Sequence, residues 1–267
     1  MYNCVLAATF GEKLLHGQPH SRSPLLRFIE ANNLKIQENF KNIADWTERR
    51  KMRLNSKKSC GMVFNFTQNY QFTSRLTLGG EPLKLVEETK LLGIILTNDL
   101  KWSKNTEYLI KRANARMEIL RKLSSFNSPI KDMIVTYFLY IRSILEQSCV
   151  IWHSTLSEED NLNLERVQKN ALRNILKDKY ENYENARKIL NIETLYERRE
   201  KLTKIFGKKC LMLEQTKHLF PLNNRTHGME TRNTEKYKIL KANTERLKNS
   251  TVPYIQRMLN SIEEKQK

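Results

Sequence analysis

Apolar positions along this chain change their period once, close to residue 100. Upstream of that point helical and strand periods both occur. Ile36, Phe40, Ile43 and Trp46 recur at helical spacing and predict a helix over 34–52, with Asn32 and Asn33 as its cap. Met62, Phe64 and Phe66 then alternate with Gly61, Val63 and Asn65, the two-residue period of a strand. Residues 75–78 and 83–86 read as a short strand and its return around the turn signal Gly79-Gly80. The unbroken apolar run 91–96, between Lys90 and Thr97-Asn98-Asp99, predicts one buried strand. Residues 1–31 show no period, because Gly11, Gly17, Pro19 and the stretch 21–24 interrupt it; loop or an unrelated leader is expected there.

Downstream only the helical period is left. Leu109, Ile110, Ala113, Met117, Leu120 and Leu123 mark one face of a helix over 104–125. Ser128-Pro129 is a start signal for a second helix carrying Ile130, Ile134, Tyr137, Phe138, Ile141 and Leu145. Ser157-Glu158-Glu159-Asp160 resembles a capping box ahead of Leu164, Val167, Ala171, Leu172 and Ile175. Further helices are expected over 182–190 and 193–216, then a loop at Pro221, Asn223, Asn224 and Gly228, and a last helix from about Pro253. The expected class is α+β: a partial antiparallel sheet followed by an α-helical bundle. The expected divisions are 1–31 unassigned, 32–100 helix plus strands, 101–217 helical bundle, and 218–267 a basic tail with a short helix.

Charge narrows the partner. The 267 residues carry 47 Lys and Arg against 29 Asp and Glu, a net +18, which favours polyanions through counterion release. Residues 201–267 hold 15 Lys and Arg against six Asp and Glu, so half of the excess lies in the last quarter. The four cysteines, Cys4, Cys60, Cys149 and Cys210, form no C-x-x-C pair, and an intracellular, reducing setting without a disulfide framework is expected. Cys149 and His153 share a C-x3-H spacing, half of a zinc site; a small buried thiol near a helix end explains it as well, and no metal is expected. No apolar run approaches the ~18 residues that cross a bilayer, so no membrane is expected.

The most specific strings lie between Trp46 and Trp102: L-N-S-K-K-S at 54–59, K-L-L-G at 90–93 and L-K-W at 100–102. The helical half adds Y-I-R-S-I-L-E-Q-S-C-V-I-W-H at 140–153, L-E-R-V-Q-K-N-A-L-R at 164–173 and L-Y-E-R-R-E-K-L at 195–202. Val252-Pro253-Tyr254 and Leu259-Asn260 close the series. In this order the segments, over roughly 32–260, resemble the end of the palm and the thumb-like region of a reverse transcriptase from a non-LTR (LINE- or jockey-like) retrotransposon. The resemblance implies that the sheet is the remnant of a palm and that the bundle holds a template–primer duplex. It makes Trp46, Leu54, Asn55, Lys58 and Ser59 the segment called motif D. There the lysine lies near the phosphates of the incoming nucleotide and is proposed to donate a proton to the leaving pyrophosphate, a role suited to a compact ammonium of tunable pKa. It places Gly93 in the primer grip, where a missing side chain lets the backbone approach a nucleic-acid strand.

Candidate phosphate contacts follow from helix faces. Arg112 and Arg116 lie four apart, Arg166, Lys169 and Arg173 line one stripe, and Arg198 and Arg199 form a pair. Such cations bind backbone phosphate without reading sequence.

The catalytic half of the family's site is missing. Phosphoryl transfer in a complete polymerase needs two divalent ions, here magnesium, which the family holds on an x-D-D strand upstream of its motif D. No Asp-Asp pair occurs, and the aspartates at 45, 99, 132, 160 and 178 are scattered. Glu87-Glu88 is expected on a loop. A Gly-rich phosphate loop, H-E-x-x-H and G-x-S-x-G are also absent. The expectation is an RNA-directed DNA polymerase homologue that begins just past the catalytic strand, as a truncated copy would. It carries no cofactor of its own and at most binds RNA or RNA–DNA duplex. Two alternatives stand beside it: the C-terminal third of a longer, active endonuclease and reverse transcriptase, and a helical module that binds protein.

Overall fold

The computed structural model describes residues 5–10, 22–52, 54–55, 58–65, 77–78, 81–223 and 236–264. It is mixed α+β, in two compact units, Met1–Lys101 and Trp102–Lys267.

The first unit opens with strand β1 (Val5–Phe10), helix α1 (Arg22–Arg49) and strand β2 (Cys60–Asn65). Short strands follow: β3 (Thr77–Leu78), β4 (Glu81–Pro82), β5 (Lys84–Leu85), β6 (Glu88–Leu91) and β7 (Ile94–Thr97). The three-stranded sheet runs β1-β2-β5 and is parallel throughout, with Val5 opposite Cys60, Phe10 opposite Asn65 and Cys60 opposite Lys84. This corrects the antiparallel expectation for the main sheet; among the described residues antiparallel pairing is found in β3–β4, in β6–β7 and in the isolated Leu222–Tyr237 bridge. The reason lies in the connection. Two strands joined by a 28-residue helix have the long crossover that parallel pairing needs.

The loop expected over 1–31 is likewise corrected by β1 and by the early start of α1. Pro24 is the third residue of α1, in the first turn, where a missing N–H costs no intrahelical bond. Asn32 and Asn33 therefore lie inside the helix. Farther along α1, Phe40 packs with Leu78 and Leu83, flanked by Ile36 and Leu54, and Met62 and Phe64 of β2 are also buried. Gly79, Gly80 and Arg75 lie outside the described residues.

The apolar run 91–96 is not one strand. It folds back at Leu92-Gly93, where φ is 49° and 87°. Two successive positive φ values are the hairpin arrangement that matches strand twist, and they favour Asn-Gly over Leu-Gly. Leu92 is 89% exposed, so its side chain contributes no packing. Leu92→Asn should therefore raise stability by about 0.5–1 kcal/mol. A lower urea midpoint for the variant would contradict this account of the turn.

The second unit contains α2 (Ser103–Ser125), then α3 (Ile130–Thr136), which passes through a π-helical stretch Tyr137–Arg142 into α4 (Ser143–Leu145). Next come α5 (Cys149–Trp152), a 3-10 turn His153–Thr155, α6 (Glu158–Leu176) and α7 (Tyr183–Leu190). The last elements are α8 (Leu195–Met212), α9 (Glu214–Lys217), α10 (Glu245–Lys248) and α11 (Thr251–Glu264). The single helix expected over 193–216 breaks at Leu213, which is extended.

Helices α2 and α6 pack side by side in parallel. Ser103 at the start of α2 donates to Asp160 at 2.9 Å, and Ser124 near its end donates to the Asn174 carbonyl at 3.0 Å. Gly207 lets α11 close on α8, since a Cβ there would stand 2.5 Å from Ile255 Cγ2. On α11, Gln256 and Asn260 act as a clamp. Asn260 bonds the Tyr237 N–H and C=O at 2.9 and 3.0 Å, and Gln256 accepts from Leu240 N–H and donates to the Leu219 carbonyl. Of the loop expected at 221–228, Pro221 and Asn223 pair with Lys238 and Lys236, and 224–228 lie outside the described residues.

Candidate nucleic-acid interface

In the first unit the motif strings build two projecting turns. Asn55 holds the first: its carbonyl accepts from Lys58 N–H at 3.0 Å and from Ser59 Oγ at 3.0 Å, and its Oδ1 accepts from Lys58 N–H at 3.2 Å. Ser59 is buried and Lys58 is exposed, so Asn55 and Ser59 fold the turn that presents the Lys58 side chain. The second turn is the hairpin tip at Gly93. Asp99 closes the turn after β7, accepting from Thr97 Oγ1 at 2.7 Å and from Lys101 N–H at 3.0 Å. Ser157 caps α6 by accepting the Asp160 N–H at 3.0 Å, and Ser157 and Ser103 both donate to Asp160 Oδ2. These two carboxylates are thus bound up in local structure. Among the described residues, no group of three or more His, Cys, Asp and Glu comes together that could hold a metal ion.

In the helical unit the candidate cations separate into two kinds. Arg166, Lys169 and Arg173 occupy the exposed side of α6, opposite the buried Leu164, Val167, Ala171, Leu172 and Ile175. Arg166 donates to Asn163 at 2.7 Å, Arg173 lies 5.5 Å from the Tyr180 ring, and none of the three forms an ion pair among the described residues. Arg116 is exposed on α2. Arg112 is half-buried, donating to Gln147 at 2.8 Å with its guanidinium 5.4 Å from the Tyr108 ring.

Arg198 and Arg199 do not form a paired basic surface. Arg198 is bound to Glu146 at 3.1 Å, and the same carboxylate takes Arg142 at 3.4 Å. Arg199 is 0% exposed. Its Nε donates to His153 Nδ1 at 3.4 Å, its Nη2 to Asn161 at 2.7 Å, and its carbon lies 5.6 Å from the Trp152 ring centre. Arg199 is therefore corrected from a phosphate contact to a core residue. The pattern of α8 carries the reason: Leu195, Thr203, Gly207 and Cys210 are its buried stripe, and 199 falls within it.

The sequence reading missed the polar interior that the helical motifs build. Tyr137 donates to Gln168 at 2.5 Å; Gln168 donates to the Tyr183 hydroxyl at 2.8 Å and to the Glu193 carbonyl at 2.9 Å. Tyr183 donates to Glu165, which also accepts the Leu195 N–H at the start of α8. Burial pushes the Tyr137 hydroxyl well above its ordinary range, and burial with the Glu165 bond does the same for Tyr183. Burial also raises the Cys149 thiol to about 11, so it is an inert buried thiol. The recurrence of Glu and Gln on the apolar side of α6, at 165 and 168, was the available signal. Lys208 and Lys209 of α8 are further exposed cations that sequence reasoning did not single out.

No family model, curated protein or solved structure matches the chain. Among the described residues no single helix is long and apolar enough to cross a membrane.

Proposed function

We propose that this chain is a non-catalytic relative of non-LTR retrotransposon reverse transcriptases, corresponding to the end of the palm and the thumb-like region. In this reading its helical unit grips nucleic-acid duplex through phosphate contacts. The observation that carries the proposal is the α6 stripe. Arg142 and Arg198 are ion-paired to Glu146 and Arg199 is buried, whereas Arg166, Lys169 and Arg173 are exposed and, among the described residues, without ion pairs. A net charge of +18 supplies the long-range attraction. Lys58 and the tip at Gly93 are inherited parts of a polymerase site in this reading. Strand β1, ahead of α1, reads V-L-A-A-T-F and offers no carboxylate to a divalent ion.

Fluorescence anisotropy with an RNA–DNA duplex tests this. Affinity should fall steeply with salt. The triple variant Arg166→Gln, Lys169→Gln, Arg173→Gln should flatten the slope of log K against log salt by about 2–3, near 0.9 for each lost phosphate contact. Equal slopes for the two proteins would remove α6 from the interface. Template-dependent DNA synthesis with magnesium would overturn the non-catalytic part.

A further inference from the structure

The joint around Arg199 holds a full positive charge in the interior without a carboxylate partner. Among the described residues no Asp or Glu lies within ion-pair distance of it. The nearby carboxylates are engaged elsewhere, Glu146 by Arg142 and Arg198, and Glu165 by Tyr183 and the Leu195 N–H. His153 and Asn161 occupy the Nε–Nη2 edge of the guanidinium; both are neutral acceptors. Nη1, at the other end of the group, is buried with no hydrogen-bond partner among the described residues. His153 Nε2 and Ser154 Oγ, on the 3-10 turn that carries the Nε acceptor, are also buried without a hydrogen-bond partner among the described residues. With Nδ1 accepting from Arg199, a neutral His153 carries its proton on Nε2, so it too is a donor. An isolated interior cation is strongly unfavourable, and buried donors take a partner.

We propose that the Nη1 end of Arg199 is a binding site for a small inorganic anion of halide size, held between α5, α6 and α8. The size follows from burial: Arg199 is 0% exposed and His153 3%, so a phosphodiester or a partner's carboxylate does not reach the group. The anion neutralises the guanidinium and uses N–H groups that the protein leaves uncommitted. It is separate from the exposed α6 stripe, so it stands whether or not the chain binds duplex.

Thermal unfolding of the whole chain in sodium bromide tests it, with ionic strength held constant by sodium gluconate, whose anion is too large for the joint. The melting temperature should rise with bromide, by about 4 °C at ten times the dissociation constant and logarithmically beyond it. Arg199→Met should abolish the rise, and Arg199→Lys should weaken it. A second measurement needs no variant: crystals of the unaltered protein grown in bromide should show an anomalous peak at Nη1. A melting temperature indifferent to bromide, or a water molecule at Nη1 in those crystals, would overturn the proposal.

Discussion

Lowering the pH from 7 to 4 is expected to cost the helical unit roughly 3 kcal/mol through His153 alone. The ring is buried between α5, α8 and α11. Arg199 faces its Nδ1, and Tyr196 and Tyr254 meet it edge-on with ring centres 5.0 and 6.1 Å away. Burial first, and the guanidinium second, push its pKa from 6.5 down to about 4. The unfolded chain takes up a proton below 6.5 while the folded site refuses it until about 4. Stability therefore has no contribution from this group above pH 6.5 and declines as pH falls from there towards 4. Glu197 also destabilises the fold in acid, because its bonds to Thr194 hold its carboxyl below the ordinary value, but that loss starts only near 4.5. Among the described residues the interval from pH 6.5 to 5 is therefore where the His153 contribution is read, by difference against a His153 variant. Urea midpoints in halide-free buffer should drop across it for the natural protein and stay level for His153→Gln. Parallel profiles for the two proteins would show that the ring is not held neutral.

How much of this was legible depended on the element. The core of α2 was plain, because Leu109, Ala113, Met117 and Leu120 keep the helical period and all four are buried. The α6 stripe was legible for the same reason, since its cations sit where the apolar period leaves a gap. The hairpin at Leu92-Gly93 was not, because a leucine with φ of 49° breaks the rule by which turns are recognised. Strand β1 and the start of α1 were hidden by Gly11, Pro19 and Pro24, residues read as breakers although proline is tolerated in a helix's first turn. The adjacent arginines of α8 looked equivalent in sequence. Neighbouring helix positions point about 100° apart, so one reaches Glu146 at the margin and the other enters the core. Polar residues repeated within the helical motifs suggested a binding surface, and most of them instead join helices to one another.

That distinction sets the expected result for Glu146→Ala: a loss of about 2–3 kcal/mol without loss of duplex affinity. The carboxylate is only 14% exposed and serves two guanidinium groups, Arg142 at 3.4 Å from the same helix run and Arg198 at 3.1 Å from α8. Arg142 also lies 3.7 Å from the Phe138 ring centre, which fixes it beside the π-helical stretch. Removing the shared carboxylate leaves two partly buried cations facing each other. Breaking a fully buried pair costs about 3–5 kcal/mol, and the 22% and 29% exposure of the two arginines places this one lower. Arg198→Gln should cost about 1 kcal/mol, and the double variant should be less destabilised than the sum of the two, because the second change relieves the repulsion made by the first. If Arg198 were instead a phosphate contact, Arg198→Gln would leave stability unchanged and flatten the salt slope of duplex binding by about 0.9. Glu146→Ala would then strengthen binding by releasing that arginine. The two measurements, urea midpoint and salt slope, move in opposite combinations under the two roles, so one set of variants decides whether this motif arginine braces the bundle or meets the duplex.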